Sequence, residues 1–170
     1  MICPSCGHDN LPGDEACRHC RQSLTPLDQP AATNRVERCL MHDTVAHLPT
    51  RPPVTLTAST SVREAIRMML ENKVGVVLVV DDSGKLLGIF GERDLLDRVA
   101  GLGNGYMDLP IGPLATSRPV TVSPGETLNF VLHKMDGGGY RHLPVVQAGK
   151  PVSIVSVRDM LVYITKNCKD

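Results

Sequence analysis

The sequence predicts an α/β (α+β) protein: two copies of one β-α-β-β-α unit, preceded by a small cysteine-bearing segment. Three observations predict it. Residues 45–170 repeat themselves at a spacing of 66 and then 65 positions. Within each copy, β-branched runs flank an apolar series of helical spacing. Four of the six cysteines stand at Cys3, Cys6, Cys17 and Cys20, ahead of the repeats. The 170 residues hold one ordinary domain plus something small. With five aromatic residues and no Trp, the core must come from Val, Leu, Ile, Met and Ala. The composition divides the chain into residues 1–24, a polar linker over 25–44, a first repeat over 45–106 and a second over 107–170.

Each element follows from local chemistry. Thr25–Asn34 is polar, Pro-bearing and non-periodic, which is linker chemistry, and Val36–Thr44 ends it with a short helix. In the first copy, Pro53–Thr57 is a short extended piece. Ser61-Val62-Arg63-Glu64 is a capping-box pattern ahead of Val62, Ala65, Ile66, Met69 and Leu70 at helical spacing. Val74–Val80 is a buried strand, Asp81–Gly84 a turn and Leu86–Phe90 the returning strand. A helix then opens at Gly91 with Leu95, Leu96 and Val99 inward. The second copy gives Val120–Ser123, Leu128–Met135, Leu143–Val146, Val152–Val155 and a helix from Val157 to about Thr165.

The repeat is specific. Val45 falls on Ile111, Leu48 on Leu114 and Thr50 on Thr116; Pro53–Leu56 falls on Pro119–Val122, and Met69 on Met135. After a one-residue gap, Gly84-Lys85 matches Gly149-Lys150 and Arg93-Asp94 matches Arg158-Asp159. Two copies are too few for a solenoid and imply a pseudo-twofold pair.

Cys3-x2-Cys6 and Cys17-x2-Cys20 are separated by ten residues, a spacing that brings four thiolates to one tetrahedral Zn²⁺. Two disulfides would need an oxidising compartment, to which nothing in the sequence points, and a redox dithiol would need only one such motif, set in a larger thioredoxin-like unit. The segment resembles a zinc ribbon of the CPxCG…CxxCG kind, departing from it at Arg21, where that pattern often has Gly. A closed four-thiolate shell leaves no position for water, so the expected zinc is structural. His8 and His19 read as bystanders, and Cys39 and Cys168 as spare reduced thiols.

The duplicated motifs carry a wider resemblance. Leu86-Leu87-Gly88-Ile89-Phe90-Gly91-Glu92-Arg93-Asp94-Leu95-Leu96, Gly139-Tyr140-Arg141-His142-Leu143-Pro144-Val145-Val146 and Ile154-Val155-Ser156-Val157-Arg158-Asp159-Met160-Leu161 resemble segments of cystathionine-β-synthase (CBS) domains. The resemblance implies a regulatory module that binds an adenosine-containing nucleotide, AMP, ADP or ATP, in the cleft between the repeats. It groups Ser156, Arg158 and Asp159 with Val54, Val74, Gly75 and Val76. It groups Arg93 and Asp94 with Val120, Tyr140, Arg141 and His142. Ser156-x-x-Asp159 reads either as ligand contact or as a capping box alone. Gly91 stands where Ser156 stands, so one phosphate-facing hydroxyl is missing; Arg141 has Gly75 as its counterpart, so one guanidinium enters from a single copy. His142 either contacts ligand or packs beneath it. Gly137-Gly138-Gly139 is a helix stop or a hinge.

The function classes narrow further. There is no G-x-S-x-G, HExxH or P-loop, and Asp81-Asp82 is turn chemistry, so no enzyme is expected. Lys+Arg and Asp+Glu both total 18, so no dominant field draws nucleic acid or an anionic membrane. No apolar run is long enough to span a bilayer, and the first residues lack a signal-peptide pattern; the expectation is a cytoplasmic protein. Leu70, Leu95, Leu96 and Leu161 supply apolar helix faces for a homodimer. The ribbon, with no positive excess, suits a protein partner better than nucleic acid. The competing reading is an interaction adaptor whose ribbon binds protein or RNA and whose cleft holds nothing.

Overall fold

The repeat folds as two units that exchange their leading segments. The structure, a computed structural model, describes residues 2–11, 14–24, 32, 34–99 and 105–168. Of the linker expected over 25–44, residues 25–31 and 33 lie outside the described residues. Helix α1 (Arg35–His42) begins at Asn34, whose side chain accepts the Glu37 N–H at 2.8 Å. The first unit has β1 (Thr55–Thr57), α2 (Val62–Asn72), β2 (Val76–Val80), β3 (Leu86–Gly91) and α3 (Glu92–Asp94). The second has α4 (Leu128–Gly138), β5 (His142–Gln147), β6 (Lys150–Ser156) and α5 (Val157–Asn167). Between them, β4 (Thr116–Ser117) adds to the first sheet, whose order is β1-β2-β3-β4. The second sheet is the β5-β6 hairpin, joined by one parallel bridge between Val122 and Val145. The extended piece expected at Val120–Ser123 thus reduces to that bridge.

Local chemistry ends the helices as the pattern demands. Lys73 at φ +53° closes α2, and its counterpart Gly139 at φ +64° closes α4. Gly137 and Gly138 lie inside α4, so the glycine run ends a helix that is longer than expected. The helix at Gly91 differs more. α3 is one turn, followed by a wide π-type turn over Leu95–Val99. That turn leaves Leu96 exposed rather than inward, while Leu95 packs partly on the core. The Val99 side chain lies outside what the structure describes.

Two cores form. One gathers Val62, Ala65, Met69, Val77, Val79 and Phe90; the other gathers Leu128, Val131, Met135, Leu143, Val145, Val155 and Met160. Fully burying each large aliphatic side chain contributes about 1.5–3 kcal/mol. Val45 and Leu48, which precede the first unit, belong to the second core, with Val36, Cys39 and Leu40 of α1 packed against it. Ile111 and Ala115, which precede the second unit, belong to the first. The backbone repeats the exchange. The Val45 N–H donates to Glu126 O at 3.0 Å and the Leu128 N–H to Asp43 O at 2.9 Å. In the other copy, the Ile111 N–H donates to Thr60 O and the Val62 N–H to Leu109 O, both at 2.9 Å. The hairpin tips also meet, the Leu86 N–H donating to Gly149 O at 3.2 Å.

Candidate functional site

The cysteine segment builds one convergent set of sulfurs. The Gly7 N–H donates to Cys3 O and the Arg21 N–H to Cys17 O, which closes two like turns. Gly7 has φ +73° and Arg21 φ +60°, so the arginine adopts the left-handed conformation its glycine-like position requires. Cys3, Cys6, Cys17 and Cys20 place their sulfurs within 4.8 Å of one another. Cys3 Sγ is 3.5 Å from Cys20 Sγ, and Cys6 Sγ is 3.6 Å from Cys17 Sγ. A tetrahedral zinc with bonds near 2.3 Å separates its sulfurs by about 3.8 Å, so the donor set fits that ion. Burial pushes the Cys17 thiol up, but backbone N–H groups of Cys20 and His19 bring it down to about 6. His8 and His19 stack on each other, centroids 5.6 Å apart, beside this set.

The two helix-opening aspartates are built differently. At the start of α5, Ser156 N–H and Ser156 Oγ donate to Asp159 Oδ2 at 2.8 and 2.6 Å, and the Asp159 N–H returns to Ser156 Oγ at 3.2 Å. Among the described residues, no donor engages Asp159 Oδ1, and the residue is half-buried. At the start of α3, the Gly91 N–H donates to Asp94 Oδ2 and Thr116 Oγ1 to Asp94 Oδ1, each at 3.0 Å. Arg98 Nε stands 3.7 Å from the same Oδ1. Asp94 is 9% exposed, so both its oxygens are spent inside the fold. The missing hydroxyl at Gly91 has a steric cause. A Cβ there would lie 2.6 Å from Val76 Cγ1 and 3.0 Å from Gly75 O.

The remaining predicted residues flank these helix starts. Val54, just before β1, and Val74, Gly75 and Val76, where the chain enters β2, are all half-buried; Val54 O accepts the Leu78 N–H at 2.9 Å, and Gly75 O the Glu92 N–H at 3.1 Å. In the second unit, Arg141 O accepts the Val157 N–H at 3.1 Å in the matching place, with the Arg141 side chain exposed. Tyr140 follows the end of α4, its ring so close that a Cβ at Gly138 would overlap it. Val120 packs partly on the second core, and Arg93 and Arg158 are exposed. His142 pairs across the hairpin with Ser156. Burial holds its imidazole below the ordinary histidine range, while the carboxylates of Asp159 and Glu92 pull it up and Arg141 pushes it down. The carboxylate of Glu92, from the first unit, thus acts on the His142 imidazole of the second, beside Asp159 and Arg141.

Sequence reasoning passed over Glu92 and Thr116. Glu92 lies over Gly75, where an added Cβ would stand 3.5 Å from its carboxylate. Its counterpart by the repeat is Val157, and that asymmetry was the available signal. A cavity of about 410 Å³ opens beside it, lined by Ile66, Met69, Leu70, Lys73, Val74, Gly75, Glu92 and Leu95. Its walls come wholly from the first unit, so it is a groove on the α2–α3 face that takes in Val74 and Gly75.

Comparison with known proteins bears on this arrangement. The CBS domain profile matches residues 45–101 and 111–166. The CBS domain-containing protein CBSCBSPB1 of Arabidopsis thaliana is 31% identical over 142 residues, 83% of this chain and 25% of that protein. The chain thus spans about a quarter of the length of that relative. Among solved structures, the CBS-domain protein ATU1752 of Agrobacterium tumefaciens matches with 34% identity and a TM-score of 0.62, over 66% of this chain and 89% of that one. CBSX2 in complex with AMP matches with 27% identity and a TM-score of 0.62, over 72% and 96%. PAE2072 of Pyrobaculum aerophilum, complexed with AMP, matches with 28% identity and a TM-score of 0.63, over 72% and 98%. The matched residues begin after the four-cysteine segment.

Proposed function

The chain belongs to the CBS domain family, and from that premise we propose that it is a non-catalytic sensor of an adenosine nucleotide bound between its repeats. The observation that carries this reading is Asp159. Its carboxylate is fixed by Ser156 through one oxygen and offers the other at the N-terminus of α5. That oxygen suits a ribose hydroxyl donor, and the adjacent helix start, with Arg158 beside it, suits phosphate. Val54, Val74 and Val76 supply apolar surface for a flat base, with Gly75 leaving room for it. The AMP complexes of CBSX2 and PAE2072 support adenosine nucleotides as the ligand class. The second position, with Arg93, Asp94, Val120, Tyr140, Arg141 and His142, is the weaker one, because Asp94 has no oxygen to spare.

The four-cysteine segment takes one structural Zn²⁺ through Cys3, Cys6, Cys17 and Cys20, and the ribbon so formed docks a protein partner in the cytoplasm. Leu70, Leu96 and Leu161 are 73%, 71% and 58% exposed on helices, and a homodimer covers them. Calorimetric titration of the full chain with AMP, ADP, ATP and S-adenosylmethionine tests the sensor reading. Saturable binding by at least one of them is expected. No binding by any of the four would refute it and leave the adaptor reading, in which Ser156 and Asp159 only cap α5.

A further inference from the structure

The two cysteines outside the ribbon meet across the second unit. Cys39 lies on α1 and Cys168 caps the end of α5. Their sulfurs and a carboxylate oxygen of Asp43 lie within 4.8 Å of one another. We propose that Cys39, Asp43 and Cys168 form a second metal site, taking a zinc-class divalent cation that clamps α1 to the end of α5.

The surroundings are those of a prepared site. Tyr163 Oη donates to Asp43 Oδ2 at 3.1 Å, which holds the carboxylate in place, as outer partners of metal ligands do. The backbone of Asp43 is held on both sides: its N–H donates to Cys39 O at 2.8 Å, and its carbonyl accepts the Leu128 N–H at 2.9 Å. Cys168 is 1% exposed, whereas Cys39 and Asp43 are half-buried, so the set is open on one side for a water as fourth ligand. Two thiolates and a carboxylate suit a borderline-soft ion such as Zn²⁺; Mg²⁺ and Ca²⁺ require oxygen donors throughout. On binding, two S–H bonds break, both protons pass to solvent, two metal–sulfur bonds form, and no electron is transferred. The bound ion would join residues at opposite ends of the repeat pair and fix the helix that leads out of the ribbon.

The test is anaerobic titration of the reduced, metal-free full chain with Co²⁺, followed by metal analysis after zinc exchange. Two equivalents per chain are expected, one for the ribbon and one for this site. Cys39→Ser and Cys168→Ser should each remove one equivalent. Asp43→Asn keeps an acceptor for Tyr163 and the packing, and should weaken the second equivalent by about tenfold or more; it decides the matter if a cysteine variant fails to fold. Cys6→Ser with Cys20→Ser should remove only the other equivalent, which separates failure of the ribbon reading from failure of this one. A single equivalent that survives Cys39→Ser, or isolation of the protein with Cys39 and Cys168 joined as a disulfide, overturns the proposal.

Discussion

Removing each helix-opening aspartate should separate binding from stability. Asp159→Ala deletes an acceptor that the fold uses only at a half-buried helix cap. A lost cap costs about 1 kcal/mol. The same change removes the oxygen available to a ribose hydroxyl, and a hydrogen bond to a charged group is worth about 1.5–3 kcal/mol, or roughly ten- to a hundredfold in affinity. Asp94→Ala does the opposite. It strands the Gly91 N–H and the Thr116 hydroxyl, both now satisfied by Asp94 at 3.0 Å in a buried site. Each orphaned group costs about 1–3 kcal/mol, so the total is about 2–6 kcal/mol. At about 3 °C per kcal/mol for a chain of this size, the melting temperature should fall by roughly 6–18 °C. Calorimetric titration with the bound nucleotide and scanning calorimetry on the same two proteins read both effects. If Asp159→Ala binds within twofold of wild type, or if Asp94→Ala abolishes binding at an unchanged melting temperature, the assignment of the two sites is wrong.

Gly91→Ser, which restores the hydroxyl the first unit lacks, should destabilise by about 1–3 kcal/mol and fail to improve binding, because its Cβ meets Val76 at 2.6 Å; a stable, tighter-binding variant would contradict this. His142 should titrate below its ordinary value of about 6.5 by NMR, and Glu92→Gln should lower it further by removing a carboxylate that favours the imidazolium; an unchanged or raised value would show that Glu92 does not act on it. Because the folded state disfavours charged His142, its contribution to stability is intact above about pH 6.5 and is lost as pH falls below it. Cys6→Ser with Cys20→Ser should unfold the ribbon and leave the melting of the repeat pair within a few degrees of wild type; a collapse of both would show that they fold as one. Leu70→Glu with Leu161→Glu should convert a dimer to a monomer by light scattering, whereas an unaltered dimer would place the interface elsewhere.

Much of this arrangement was legible because a duplicated sequence carries its own control. Comparing Val45 with Ile111, or Lys73 with Gly139, identifies equivalent positions without any outside reference, and the strand and helix positions follow from local spacing. Equivalence does not say which core a residue enters. Val45 and Ile111 match each other, yet each packs on the other's unit, and only tertiary contact reveals that. The saturation of Asp94 was hidden for the same reason. Its hydroxyl partner Thr116 is 22 residues away, beyond any capping pattern. The outward Leu96 reflects a wide helical turn that an ordinary helical period cannot anticipate. The cluster of Cys39, Asp43 and Cys168 was invisible because metal spacing rules read ligands a few residues apart, and these lie at opposite ends of the repeats.

The exchange of leading segments also bears on how the two units can act together. α1 packs on α4, and α4 packs on α5, so the segment that follows the ribbon rests on the unit that holds Asp159. The same unit receives Val45 and Leu48, while the first unit receives Ile111 and Ala115. Neither core is complete without a segment whose chain continues into the other unit. A rotation of one unit against the other must therefore strain two covalent crossings, each anchored by backbone hydrogen bonds near 2.9–3.0 Å. The units also meet where the Leu86 N–H donates to Gly149 O, and α1 moves with the second unit because it packs on that core. Interfaces of this kind move as packed wholes rather than deform continuously. Packed contacts from the start of α5 to the segment that follows the ribbon therefore run by way of α5, α4 and α1, all on the second unit.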